Sequence, residues 1–241
     1  MPRSARIAPG GVVFHCLNGG NEQCELFADD ADYAAFERVL EATLEAVPVR
    51  LLAYCLMPNH WHLLLWPRKD GDLGRFMQRL TTTHVRRWRT FRHSEGRGHL
   101  YQGVYKSFPV EDSLPFLPVA RYVEQNALRA KLVSKAEDWQ WNSVWRRERG
   151  SSHERGLMSE WPVERPADWL TQVNRPQPAK ELAAVRESLR RGRPFGDPAW
   201  QAEIAIRLGL QSSFRPPGRP KKDRKREAKE GNLFLPAEDI R

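Results

Sequence analysis

Val49-Arg-Leu-Leu-Ala-Tyr-Cys-Leu-Met57-Pro-Asn-His60-Trp-His62-Leu-Leu-Leu-Trp66 contains two β-prone runs separated by Met57, Pro58 and Asn59. So short a gap admits only an antiparallel turn, and the stretch predicts a β-hairpin. His60 and His62 open its second strand. Side chains alternate along a strand, so both imidazoles share one face while Trp61 and Leu63 take the other. Two imidazoles on one face can grip a single metal ion, or each can be a buried polar residue held by a hydrogen bond.

Upstream, Val12 to Leu17 reads as a strand, followed by a Gly-rich turn at Asn18-Gly-Gly-Asn21. Asp29-Asp30-Ala-Asp32 has helix-capping chemistry, and Tyr33, Phe36, Leu40, Leu44 and Val47 form the buried stripe of a helix that Pro48 helps end. Downstream, a second helix is expected over Asp72 to Phe91. Leu73, Phe76, Met77, Leu80, Trp88 and Phe91 point inward there, and Arg75, Arg79, Arg86, Arg87 and Arg89 lie elsewhere on it. Val104 to Val110 supplies a fourth strand. Pro115 or Pro118 then starts a third helix running to about Arg129. The order β-α-β-β-α-β-α places the chain in the α+β class: a ferredoxin-like antiparallel sheet, an added helix, and a mostly helical or irregular basic C-terminal extension.

On the added helix, Phe116, Ala120, Val123 and Ala127 account for packing, while Tyr122 and Asn126, four residues apart, share another face. If this helix crosses the free face of the sheet, the phenol and the amide meet His60 and His62. His15, His84, His93, His99 and His153 are read as polar residues with ordinary hydrogen bonds.

The chain has 241 residues and a net charge of +9, from 39 Lys plus Arg against 30 Asp plus Glu, which favours a polyanionic partner such as nucleic acid. No apolar run reaches the roughly 20 residues of a membrane-spanning helix, and no signal-peptide core follows the first residues. A cytoplasmic, nucleoid-associated protein without a membrane partner is expected. Cys16, Cys24 and Cys55 lack CxxC spacing and are expected as reduced, buried thiols. Arg86, Arg87 and Arg89, interleaved with Trp88 and Phe91, suggest phosphate contacts.

Met57-Pro-Asn-His-Trp-His62, Gly98-His-Leu-Tyr-Gln-Gly103 and Tyr122-Val-Glu-Gln-Asn-Ala-Leu-Arg-Ala130 together resemble the REP-associated tyrosine transposases, relatives of the single-tyrosine HUH transposases. Arg191-Gly-Arg-Pro-Phe-Gly196, Trp200 and Pro217-Gly-Arg-Pro220 look like the family's tail. The resemblance implies cleavage of single-stranded DNA by Tyr122, leaving a 5′-phosphotyrosine link and a free 3′-hydroxyl. It also implies a divalent metal ion held by His60, His62 and Asn126. Two imidazoles by themselves favour zinc, whereas the resemblance implies Mg2+ or Mn2+. The implied substrate is single-stranded DNA folded into REP-like hairpins, and the implied state is a monomer or weak dimer. Arg75, Arg79, Arg86, Arg87, Arg89, Lys106, Arg193 and Arg219 are the expected nucleic-acid contacts. Ala127 stands where many members have proline, and Gly19 and Val104 where arginine is common, departures that touch substrate choice more than cleavage.

A phenol with a pKa of about 10 is roughly 0.1% ionised at pH 7, a handicap on the order of 4 kcal/mol, so this nucleophile needs electrophilic help at the phosphate. The alternative function is a non-catalytic protein that binds hairpin DNA and regulates by occupancy. A small-molecule metal hydrolase fits poorly, because no further His and Asp set is evident. The expected organisation is a nuclease domain over 1–145, an appendage with two short helices over 146–212, and a basic tail over 213–241.

Overall fold

The structure is a computed structural model and describes residues 7–93 and 98–215. Strand β1 (Val13–Gly19) leads to helix α1 (Asp30–Ala46), then to β2 (Val49–Met57) and β3 (His60–Pro67), helix α2 (Asp72–Phe91), and β4 (Lys106–Val110). All pairings are antiparallel and the sheet order is β2-β3-β1-β4, the ferredoxin-like arrangement expected from the sequence.

Local chemistry accounts for the main boundaries. Asp29 caps α1 by accepting from the Asp32 amide at 3.0 Å, and Asp32 returns an acceptor to the Ala28 amide at 2.8 Å. Gly71 precedes α2 at φ 80°, a left-handed conformation that suits glycine. Pro58 and Asn59 turn β2 into β3, and the Pro58 carbonyl accepts from the Leu26 and Phe27 amides, which pins the hairpin tip to the loop before α1.

The sheet is buried on both faces. Phe14, Cys16, Trp61, Leu63 and Leu65 meet Phe36 and Leu40 of α1 and Phe76, Met77 and Leu80 of α2. On the other face, Val13, Leu17, Leu64 and Phe108 meet α3 (Phe116–Glu124). One departure lies at the end of α2, where Phe91, expected inward, is exposed; Trp88 makes the last apolar contact of that helix. Another is Cys24, which is exposed, whereas Cys16 and Cys55 are buried.

The expected third helix is two pieces. After α3 the chain breaks at Gln125 and resumes as α4 (Asn126–Arg129). Gln125 is buried and its side-chain amide donates to the Val173 and Arg175 carbonyls, so this position answers to the C-terminal chain.

More order follows than the sequence suggests. Helices α5 (Ser143–Arg149), α6 (Ser152–Gly156) and α7 (Trp169–Asn174) precede the two expected ones, α8 (Ala179–Arg191) and α9 (Pro198–Leu208). The appendage expected from residue 146 onward begins with a buried anchor: Arg146 pairs with Glu37 of α1 and donates to the Tyr54 hydroxyl. Glu124 of α3 accepts from Ser143 at 2.6 Å and from the Trp169 indole at 2.7 Å, tying α3 to α5 and α7. Phe195 exchanges backbone hydrogen bonds with Pro109 and Glu111 beside β4, each 2.9 Å. Val144, Trp169, Val173, Val185 and Leu189 accordingly join the apolar core on the α3 side of the sheet. Arg219 and most of the expected tail lie outside the described residues.

Removing one partner of a buried ion pair strands the other charge, at a cost of about 3–5 kcal/mol. Arg146→Met is therefore expected to lower unfolding free energy by that order in a denaturant titration, and adding Glu37→Gln should recover part of the loss. A loss below about 1 kcal/mol would contradict the anchoring role.

Candidate functional site

Because β3 is interior, paired to β2 on one side and β1 on the other, its alternation is fixed: His60, His62 and Leu64 face α3, and Trp61, Leu63 and Leu65 face α1 and α2. Tyr122 projects from α3 onto this face, its ring 5.8 Å from that of His62 and nearly perpendicular to it. The sequence reading of a strand-borne pair opposite a helix-borne tyrosine is what the geometry delivers. His60 and His62 have ring centroids 5.1 Å apart.

Each imidazole is held through Nδ1. His60 Nδ1 lies 2.7 Å from the Asn59 side-chain oxygen, and His62 Nδ1 lies 2.9 Å from His15 Nε2. Facing an amide oxygen, His60 Nδ1 donates and its Nε2 keeps its lone pair, the form in which histidine binds a metal ion; His62 takes the same form in the tautomer whose Nδ1 donates to His15. Burial holds His60 and His15 down to about 3 and His62 well below its ordinary value, and the Arg129 charge lowers both His60 and His62 further. The neutral form is therefore retained at physiological pH.

His15 is a site residue that the sequence reading set aside. Its signal was the one that singled out His60: an imidazole inside an apolar strand, Val12-Val-Phe-His-Cys-Leu17. Asn59 was quoted within a motif but given no part. Arg129 was likewise unassigned, yet its guanidinium lies 4.3 Å from the Tyr122 ring centroid and donates to Asn126 Oδ1 at 2.8 Å. That bond brings Asn126 and Tyr122 to one point across the helix break.

The cluster is closed. His15, His62 and Tyr122 are 0% exposed and Asn126 is 1% exposed. The His62 Nε2, Tyr122 hydroxyl and Asn126 Nδ2 atoms have no hydrogen-bond partner among the described residues. Buried polar atoms without partners cost of order 1–3 kcal/mol each, so several of them meeting in one place mark a site built for something else. Among the described residues no three His, Cys, Asp or Glu side chains form a metal-binding group; the neutral donors near Tyr122 are the His62 imidazole with its neighbour His60 and the Asn126 amide that Arg129 bridges to the phenol ring.

The expected nucleic-acid contacts divide by place. Lys106 of β4 pairs in register with Leu17, which pairs with His62, so Lys106 shares the face of the cluster, and burial lowers its pKa. Arg75, Arg79, Arg86, Arg87 and Arg89 lie on α2, across the sheet from Tyr122, and the structure does not bring them to the cluster. Arg86 and Arg89 line a groove of about 640 Å³ with Asn18, Gln102 and Gly103, at the sheet end where Gly19 pairs with His60. Arg75 is engaged by Asp72. Arg193 hydrogen-bonds Gln201 at 3.1 Å and stacks on Phe214, a packing role within the extension.

Residues 11–126 match the family described as Transposase IS200 like, a span that takes in His15, His60, His62, Tyr122 and Asn126. Over this segment the chain is similar to the IS200-like transposases. Among solved structures, a REP-associated tyrosine transposase bound to a REP hairpin is similar at 18% identity and a TM-score of 0.50, covering 66% of this chain and 89% of that one. A putative transposase from Deinococcus radiodurans R1 is also 18% identical, with a TM-score of 0.36, covering 52% of this chain and 95% of that one. A comparison with curated proteins gives no match. The resemblance read from the sequence is borne out by the family match, and the first structural likeness supports the fold. No helix among the described residues is long and apolar enough to cross a membrane.

Nuclear magnetic resonance of the imidazole nitrogens checks the electrostatics. His15, His60 and His62 are expected to stay neutral from pH 7 down to about pH 4, whereas titration of any of them near the ordinary histidine value of about 6.5 would contradict the closed site.

Proposed function

We propose that the protein is a metal-dependent single-stranded DNA endonuclease and strand transferase acting on hairpin-forming, REP-like repeats, with Tyr122 as nucleophile. The observation that carries this reading is the Tyr122 hydroxyl, buried without a partner and with its ring packed edge-on to His62. The family match over residues 11–126 supports transposase chemistry, and the hairpin bound by the similar structure supports the substrate class.

His60, His62 and Asn126 would hold the divalent ion, Mg2+ or Mn2+ by the family resemblance, through Nε2, Nε2 and Oδ1. Such an ion supplies Lewis-acid withdrawal of charge from the scissile phosphate oxygens. His15 and Asn59 fix the ring orientations, and α3 presents the phenol to the same face. Tyr122 Oη forms a bond to phosphorus as the bond from phosphorus to the 3′-oxygen breaks; the phenol gives up its proton and the departing 3′-oxygen takes one up. The product is a 5′-phosphotyrosine and a free 3′-hydroxyl. Since one phosphodiester bond replaces another, a 3′-hydroxyl can reverse the step and rejoin strands. The positive charges of Lys106 and Arg129 suit a phosphodiester entering from this face.

The second reading, hairpin binding without cleavage, is favoured by the complete burial of Tyr122, since a strand reaches it only when the covering segments give way. One comparison separates the two. Incubated with Mg2+ or Mn2+ and a labelled hairpin carrying a single-stranded extension, the wild-type protein should give a covalent adduct that chelator prevents. Tyr122→Phe should lower adduct formation at least about a thousandfold, with hairpin affinity kept within about threefold. Tight binding by wild type with no adduct on any repeat hairpin would establish the binding-only reading.

A further inference from the structure

Arg129 is a half-buried cation with an unfinished electrostatic environment. Its guanidinium touches Asn126 Oδ1 at 2.8 Å and the Tyr122 carbonyl at 3.4 Å, covers the Tyr122 ring at 4.3 Å, and leaves Nε without a partner. Burial disfavours its charge, and the groups whose negative forms would favour it are the Tyr122 phenol and the Cys55 thiol, neither of them a carboxylate. Burial pushes Cys55 up to about 12, so that thiol supplies no charge at neutral pH. A partly desolvated guanidinium with no carboxylate partner among the described residues is costly, and a planar fork of donors matches a phosphate.

The atom that Arg129 occupies is also informative. Asn126 Oδ1 is the oxygen a metal ion would take, and it cannot accept a guanidinium and coordinate a cation from the same direction. A positive charge resting on Asn126 also opposes any cation brought to the same oxygen.

We propose that Arg129 is the binding residue for the scissile phosphodiester and, until the strand arrives, a competitor for the metal: it holds Asn126 Oδ1 in the free protein and releases it when its guanidinium transfers to a phosphate oxygen. Strand binding and metal binding are then mutually favourable, since the phosphate that attracts Arg129 away also cancels the charge that opposes the ion. Reciprocity requires that the ion strengthen strand binding by the same factor. The inference rests on the strand-cleavage reading for its substrate, whereas the competition for Asn126 is a property of the protein by itself.

The test uses the full chain as wild type, Arg129→Met and Arg129→Lys. Methionine retains a stem over the Tyr122 ring and removes the charge; lysine keeps the charge and loses the fork. Free Mn2+ followed by electron paramagnetic resonance, without DNA, should show Arg129→Met binding the ion about tenfold more tightly than wild type. In chelator, with Tyr122→Phe added to every protein, Arg129→Met should bind a hairpin with a single-stranded extension about tenfold more weakly, the scale of one charge-assisted hydrogen bond. Arg129→Lys should shift both in the same directions by less, and it carries the test if circular dichroism shows that the methionine variant does not fold. Unchanged or weaker Mn2+ binding on loss of the guanidinium overturns the competition, and unchanged hairpin affinity overturns the phosphate role. If wild type forms no adduct, cleavage fails while both Arg129 readouts still report.

Discussion

The interior position of β3 constrains everything else in this molecule. A strand hydrogen-bonded on both sides cannot slip by one residue without exchanging its two faces, and here both faces are buried. His60 and His62 are thereby committed to one side, where they must be covered. Coverage by α3 desolvates them, desolvation keeps them neutral, and the neutral ring with Nδ1 engaged is the one that offers a lone pair. The same coverage strips the Tyr122 hydroxyl of water without giving it a partner. Stability is surrendered locally in a form that a phosphate and a cation can recover.

Much of this was legible in the sequence because it rests on period and spacing. The two-residue alternation of His60 and His62 and the apolar stripe of α2 as far as Trp88 survive into the structure with their faces intact, and Tyr122 and Asn126 stay joined through Arg129 across the helix break. His15 was missed because a single imidazole has no partner in sequence; only strand pairing brings it to His62, 47 residues away. Arg129 was missed for a related reason, since its meaning lies in having no carboxylate partner among the described residues. The break at Gln125 and the burial of Arg146 depend on contacts with Val173 and Glu37, far along the chain. The α2 arginines were legible as clustered charge, and the structure places them on the sheet face opposite Tyr122.

The division of charge between the two sheet faces has a mechanical consequence. Lys106 and Arg129 stand with the tyrosine, while Arg86 and Arg89 border a groove at the sheet end near His60. The segment from α5 to α8 closes the other side: α8 carries Arg186, whose charge interacts with both Tyr122 and Arg129. Glu124, anchored by Ser143 and Trp169, makes the tyrosine helix and its cover one unit.

All of this converges on the claim that one of the five tyrosines of the chain becomes covalently joined to DNA. Trypsin cleaves after Arg121 and Arg129, so the residue in question lies within the short peptide Tyr122-Val-Glu-Gln-Asn-Ala-Leu-Arg129. Mass spectrometry of the adduct, after nuclease trimming of the strand, is expected to find a 5′-phosphonucleotide on the Tyr122 side chain of that peptide. The same mass added to Tyr101, Tyr105 or any other residue would contradict the account.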